Sequence, residues 1–209
     1  GCPIALIPEC LARLWLSSLK ASVPQTMAPQ EVISKAKKYQ KSVRGYISTV
    51  FGCPYEGDVS IENVLLIAGQ LFNMGVDEIS LGDTIGVADP IQVEKVLTAV
   101  KSHFPNEKFA LHFHNTRGTA LANVLMALQL GFDTFDSALG GLGGCPYAKG
   151  ASGNLATDDL VYMLERMGIQ TNIKPDKLQE AAFYIQDYVK KPLPSHQMQI
   201  FRYEREEIK

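Results

Sequence analysis

One cysteine, Cys145, lies within the run GGLGGCPYAKGASGN (140–154), where six of the fifteen residues are glycine. Glycine lets a backbone take positive φ and approach a ligand closely, at an entropic cost that a plain connector does not require. A thiol carried on such a loop suggests a reactive group that moves over a bound substrate. Upstream, the segment LHFH (111–114) sets two imidazoles two residues apart. Together these features read as a metal site with a mobile acid/base above it.

Residues two apart in a strand face the same side, so His112 and His114 enter one cavity while Phe113 faces away. Asn154, on the loop that follows, can add an amide oxygen. A site mixing imidazole, amide, carboxylate and water leans towards Mg²⁺ or Mn²⁺, with zinc left open. The competing reading makes one histidine a satisfied core residue and the other incidental; the strand end and the glycine loop weigh against it. Cys145 read structurally is a small buried hydrophobe, the commonest fate of a free thiol, but packing does not call for glycines on both sides. A nearby cation favours the thiolate and gives a group that exchanges protons near neutrality. Cys53, in FGCPYEG, has fewer glycines around it and reads as structural. Asp83, in LGDTIG, is equally a turn carboxylate or a group that binds a substrate hydroxyl or orients a ligand. Lys149 and Arg117 flank the site, either to meet an anionic substrate or as solvated charges.

The elements that must carry these residues alternate. Strands are expected at 42–50, 77–81, 108–113 and 133–136, and helices at 31–40, 60–74, 90–102, 118–130, 159–167 and 176–189. Pro90 opens one helix, and Thr157 with Asp158 and Asp159 opens another. No glycine-rich dinucleotide fingerprint is present. Four β-α units at a spacing near thirty residues imply parallel pairing with right-handed crossovers. Ser48, Asp83, His112, His114 and Cys145 all fall at or just past strand carboxyl ends. That is the catalytic face of an α/β barrel and also the ligand edge of an open doubly wound sheet, so topology alone does not choose.

A chain of 209 residues with 46% hydrophobic content suits one domain. Its net charge of −2 gives no electrostatic case for nucleic acid or an anionic membrane as partner. Four scattered cysteines fit free thiols in a reducing cytoplasm. The apolar stretch 4–19 is broken by Pro8, Glu9 and Arg13, so it is not a membrane span. Residues 1–29 stand outside the β-α rhythm as an atypical leader, 30–201 form the barrel part, and 202–209 read as a charged, solvated tail. No transit peptide or peroxisomal tail is evident, which makes a cytoplasmic location the default.

The segments VRGYISTVFGCPYEG, EISLGDTIG, ALHFHNTRGTALAN and above all GGLGGCPYAKGASGNLAT resemble the 3-hydroxy-3-methylglutaryl-CoA lyase family over residues 31–201. The resemblance implies a (β/α)₈ barrel of which about the last four βα units are present, with Mg²⁺ or Mn²⁺ as cofactor. It implies cleavage of 3-hydroxy-3-methylglutaryl-CoA to acetyl-CoA and acetoacetate, a step of leucine degradation and ketone-body formation. His112, His114 and Asn154 match metal ligands, and Cys145 matches the thiol of the mobile loop. Asp83 matches an active-site carboxylate; Ser80 and Tyr46 match positions near the substrate. Three features depart from the family. The Arg-Asp-Gly-Leu-Gln segment, which supplies a further metal-binding aspartate and an enolate-stabilising arginine, has no counterpart. Asn115 stands where the family usually has Asp, and Asp158 where it usually has Glu, a shorter side chain that is not expected to reach the same partner.

These departures set the expectations for the chain. As the carboxyl-terminal half of such a lyase, it is expected to bind metal weakly and turn over little. A condensing synthase of the same superfamily, joining acetyl-CoA to a 2-oxo acid, is mildly favoured by Asn115 and opposed by the cysteine loop. A half-barrel without catalysis would expose a sheet edge and an apolar interior, and so self-associate. A homo-oligomer, a dimer first, is the expected assembly.

Overall fold

A computed structural model describes residues 14–15, 29–143 and 153–207. Five strands, β1 (Leu14–Trp15), β2 (Arg44–Ile47), β3 (Glu78–Gly82), β4 (Phe109–His112) and β5 (Phe135–Asp136), form one parallel sheet in chain order. Helices α1 (Pro29–Lys38), α2 (Ile61–Met74), α3 (Pro90–His103) and α4 (Ala120–Gln129) alternate with the strands, and α5 (Thr157–Arg166), α6 (Pro175–Val189) and α7 (His196–Glu207) follow β5. A doubly wound sheet reverses its strand order at a switch point. This order never reverses, so the chain winds in one direction, as part of a (β/α)₈ barrel does.

Local chemistry sets the helix boundaries. Ser60 accepts from the Asn63 N–H at 3.2 Å to open α2, and Gly75 closes it at a φ of +98°. Asp89 accepts from the Ile91 and Gln92 N–H groups at 2.9 and 3.0 Å, and Pro90 takes the first turn of α3. Between the helices and the sheet lies the main core, with Ile79, Leu81, Phe109, Leu111 and Phe113 facing outwards from β3, β4 and the segment after it. Gly45 lets β2 settle on α2: an added Cβ would lie 3.3 Å from both Leu71 and Val76 side-chain atoms.

The alternate residues face the other way. Register pairs Arg44 with Glu78, Tyr46 with Ser80, Ser80 with Ala110, and His112 with Asp136. The inner face is therefore polar, and the expectation of an exposed apolar interior is corrected. Arg44 on β2 donates to the Asp136 carboxylate on β5 at 2.6 Å. Three strand spacings separate β2 from β5, about 14 Å on a flat sheet, so this bond requires the sheet to curl towards its polar side.

Both ends of the described chain carry regular structure. Leu14–Trp15 adds a strand beside β2, within the stretch read as a leader. Residues 202–207, read as a solvated tail, belong to α7, whose start is tied to α5: Asp159 accepts from the Gln197 N–H at 2.9 Å and the His196 N–H at 3.1 Å. Arg202 donates to Gln186 and to the Leu193 carbonyl, and Ala182, Leu193 and Met198 form a second small core beneath α6 and α7. None of the described helices is long and apolar enough to cross a membrane.

Candidate functional site

The site begins where β4 ends. His112 closes the strand and His114 lies two residues on, their ring centroids 5.3 Å apart. Asn154 is brought to them by the return of the chain. His114 pairs with Asn154 in an antiparallel bridge, the Leu155 N–H bonds the Phe113 carbonyl at 3.1 Å, and the Asn115 N–H bonds the Gly153 carbonyl at 3.1 Å. The three residues singled out as metal ligands thus meet at one strand end.

The polarity of this meeting tests whether the residues suit a cation. His112 Nδ1 lies 3.3 Å from Asp136 Oδ2, and His112 Nε2 lies 3.1 Å from Asn154 Oδ1. A neutral imidazole carries one N–H, and the carboxylate is the stronger acceptor for it. Nε2 then presents a lone pair to an amide oxygen. The amide cannot relieve this by turning over, because its Nδ2 already donates to the Leu142 carbonyl at 2.9 Å. His114 Nδ1 is buried with no partner. With its proton on Nδ1, His112 would offer Nε2 beside Asn154 Oδ1, and the neighbouring His114 ring carries a buried, unpartnered Nδ1: imidazole nitrogen and amide oxygen are ligands that a divalent cation accepts. The residues fit Mg²⁺ or Mn²⁺. Among the described residues, no group of three or more His, Cys, Asp and Glu side chains could hold a metal ion; the candidate set here is two histidines with the amide of Asn154.

Burial, aided by the neighbouring His112, lowers the His114 pKa from 6.5 to about 4, against a contrary hydrogen bond to Asn154. The folded state thus resists a proton that the unfolded chain accepts. This contribution to stability is full above pH 6.5 and is lost as the pH falls towards about 4, on the order of 3 kcal/mol in all. Asp83 and Asp158, whose pKa values burial raises above 3.8, act oppositely and restore some stability at the acid end. Urea unfolding should therefore give a falling stability between pH 7 and 5 that His114→Gln flattens. An unchanged slope in the variant would contradict the assignment.

The remaining singled-out residues divide. Ser80 and Tyr46 lie side by side on the inner face, and Ser80 Oγ donates to Asp136 Oδ2 at 2.8 Å. Asp83 is 1% exposed and both its oxygens are engaged, Oδ1 by the Val87 N–H at 2.9 Å and Oδ2 by the Ala88 N–H at 3.3 Å. Its own N–H bonds the His112 carbonyl at 2.9 Å. Asp83 shapes the loop after β3 and fixes that loop to β4. Arg117 donates to the Ile85 and Gly86 carbonyls and so braces the same loop. Asn115 Oδ1 accepts from the Ala120 N–H at 3.2 Å, at the start of α4, a task an aspartate performs equally well. Cys53 lies in a tight turn closed by paired bonds to Gly57. Cys145 and Lys149 lie outside the described residues.

Asp158 has two partners of its own. Its Oδ1 accepts from the Gly140 N–H at 2.7 Å, and its Oδ2 takes a short bond from Ser195 Oγ. The residue that sequence reading passes over is Asp136, with Arg44 and Glu78 behind it. Arg44 joins Glu78 and Asp136 in ion pairs. Burial alone would raise the Asp136 pKa, but the His112 hydrogen bond and the Arg44 charge hold it below the ordinary carboxylate value. The alternation Arg44-x-Tyr46 and Glu78-x-Ser80 was the available signal for a charged inner face.

A family model described as HMGL-like matches residues 14–185. The hydroxymethylglutaryl-CoA lyase YngG of Bacillus subtilis is 56% identical over 173 residues, 83% of this chain and 58% of that protein. The crystal structure of the Bacillus subtilis HMG-CoA lyase matches with a TM-score of 0.81 over the same shares of the two chains. The mitochondrial hydroxymethylglutaryl-CoA lyase of Mus musculus is 54% identical over 74% of this chain and 47% of its own length. An HMG-CoA lyase from Acinetobacter baumannii, solved with coenzyme A and 3-methylmalate, is 40% identical with a TM-score of 0.76, covering 81% of this chain and 55% of that one. The chain spans about half the length of the curated relatives it matches. It belongs to the HMGL-like family and corresponds to the carboxyl-terminal part of its hydroxymethylglutaryl-CoA lyase members.

Proposed function

We propose that this chain serves the divalent-metal-dependent cleavage of 3-hydroxy-3-methylglutaryl-CoA to acetyl-CoA and acetoacetate, with Mg²⁺ or Mn²⁺ held by His112, His114 and Asn154. The observation that carries this reading is the convergence of His112 Nε2 and Asn154 Oδ1, 3.1 Å apart, with His114 at the end of β4. A bound divalent ion supplies a Lewis acid that lowers the cost of ionising the tertiary hydroxyl of the substrate. The chain's own residues do the rest. Tyr46 and Ser80 line the inner face beside the histidines and meet the acyl portion. Asp83 keeps the β3 loop in the shape that borders it. Breaking the carbon–carbon bond leaves the acetyl-CoA portion as an enolate, and Cys145 delivers the proton its carbon requires. The relative solved with coenzyme A and 3-methylmalate supports an acyl-CoA ligand. A relative named as cytoplasmic supports a cytoplasmic setting. Asn115 bonds the start of α4 and so lends no weight to a condensing reaction.

The test transplants the chemistry. Residues 30–201 of this chain replace the matching part of the Bacillus subtilis enzyme, and acetyl-CoA release from 3-hydroxy-3-methylglutaryl-CoA is followed with Mn²⁺ present. Activity within about tenfold of the parent is expected, with a loss of about 100-fold or more in Cys145→Ala. A folded chimera that binds Mn²⁺ and releases no acetyl-CoA would sink the reading.

A further inference from the structure

Asp136 is the point at which the inner-face charges converge. Its Oδ1 receives Arg44 at 2.6 Å, and its Oδ2 receives Ser80 Oγ at 2.8 Å and faces His112 Nδ1 at 3.3 Å. Arg44 is in turn braced by Glu78. The carboxylate is therefore held by two strands, β2 and β3, before it meets a third. Its neighbours Arg44 and Glu78 cancel each other's charge, so Asp136 leaves the cluster with one net negative charge directly behind His112.

We propose that Asp136 is a positioning residue that sets the His112 tautomer, keeping the proton on Nδ1 and the Nε2 lone pair aimed at the space shared with Asn154 Oδ1. The inference rests on the metal-dependent reading above and extends it to residues that no ligand pattern in the sequence contains. Without the carboxylate, His112 gains more by placing its proton on Nε2, where Asn154 Oδ1 accepts it at 3.1 Å. That tautomer fills the cation's place with an internal hydrogen bond. Ser80 and Arg44 thus act on the site through Asp136: Ser80 occupies an Oδ2 lone pair and Arg44 fixes the carboxylate plane.

The test uses the full chain and two readouts. Long-range ¹H–¹⁵N spectra of the histidine rings, taken without metal at neutral pH, should show His112 of the unaltered chain with its proton on Nδ1. In Asp136→Asn, whose amide can donate to Nδ1, the proton should move to Nε2. Calorimetric titration with Mn²⁺ should show affinity reduced about 10- to 100-fold in Asp136→Asn and partly restored in Asp136→Glu. Should Asp136→Asn not fold, the spectrum of the unaltered chain and that of Ser80→Ala, which keeps the carboxylate, still decide the tautomer. His112 protonated on Nε2 in the unaltered chain would overturn the proposal, as would an unmoved proton in Asp136→Asn. If the unaltered chain binds no Mn²⁺ while the tautomer behaves as stated, the metal reading fails and the role of Asp136 in orienting His112 stands.

Discussion

Replacing Gly153 with alanine should cost the chain both stability and the cation site proposed at the β4 end. Gly153 has a φ of +93°, and a Cβ there would lie 2.2 Å from the Gly143 carbonyl oxygen and 2.6 Å from that of Gly141. Both obstacles are backbone and cannot swing aside as a flexible side chain would. An alanine also pays roughly 1–2 kcal/mol for left-handed φ. The two segments must separate, and with them go the bond from Asn115 N–H to the Gly153 carbonyl and that from Asn154 Nδ2 to the Leu142 carbonyl. A total near 3 kcal/mol is expected, which for a domain of this size lowers Tm by about 10 °C. Because Asn154 Oδ1 moves away from His112 Nε2, Mn²⁺ affinity should fall at least about tenfold even where the variant is fully folded. Scanning calorimetry and Mn²⁺ titration at a temperature well below the transition separate the two effects. Wild-type affinity in Gly153→Ala would mean that Asn154 is not a ligand.

Asp158→Ala should be the other severe change. The side chain is 3% exposed, and its two oxygens serve the Gly140 N–H and Ser195 Oγ. Removing it leaves both donors buried and unanswered, at about 1–3 kcal/mol each. Gly140 cannot compensate by moving, since it sits at a φ of +60° with Leu193 side-chain atoms packed where a Cβ would be. The loss should be local before it is global. Ser195 also caps α7 by accepting from the Met198 N–H at 3.2 Å, so α7 loosens first. Hydrogen exchange should accelerate in α7 and at Gly140 in Asp158→Ala, while the α2 and α3 amides stay protected at the same temperature. Asp158→Asn retains an acceptor for Gly140 and should lose less than half as much. Uniform acceleration across the chain would contradict a local anchor.

The sequence made the residues gathered at the β4 end legible and hid what supports them. His112 and His114 share a face because side-chain direction in a strand has period two, and the strand they end is the one its composition announces. Pro90 and Ser60 mark helix starts by mechanisms confined to one turn. Asp136 escaped because its partners are 92, 56 and 24 residues away, and only a curled sheet brings Arg44, Ser80 and His112 to it. An aspartate closing a short expected strand carries no sign of its role until its neighbours are known. Asp83 read equally as a turn carboxylate and as a group facing the site, and the structure shows the turn role, its oxygens accepting from the loop's own N–H groups. Residues 203–206 are exposed, as a solvated charge run is, and what their composition hid is the helix, whose start is held by Asp158 and Asp159, 37 or 38 residues before it. Polar helices anchored at a distance carry little local signature.

The most direct measurement is the titration of Mn²⁺ into the full chain by calorimetry, in parallel with His112→Ala and Asn154→Ala. Saturable binding of one ion per chain is expected, lost in both variants while their circular dichroism stays that of the unaltered protein. Binding that survives both substitutions, or none in the unaltered chain, would contradict the claim that the β4 strand end is a divalent-cation site.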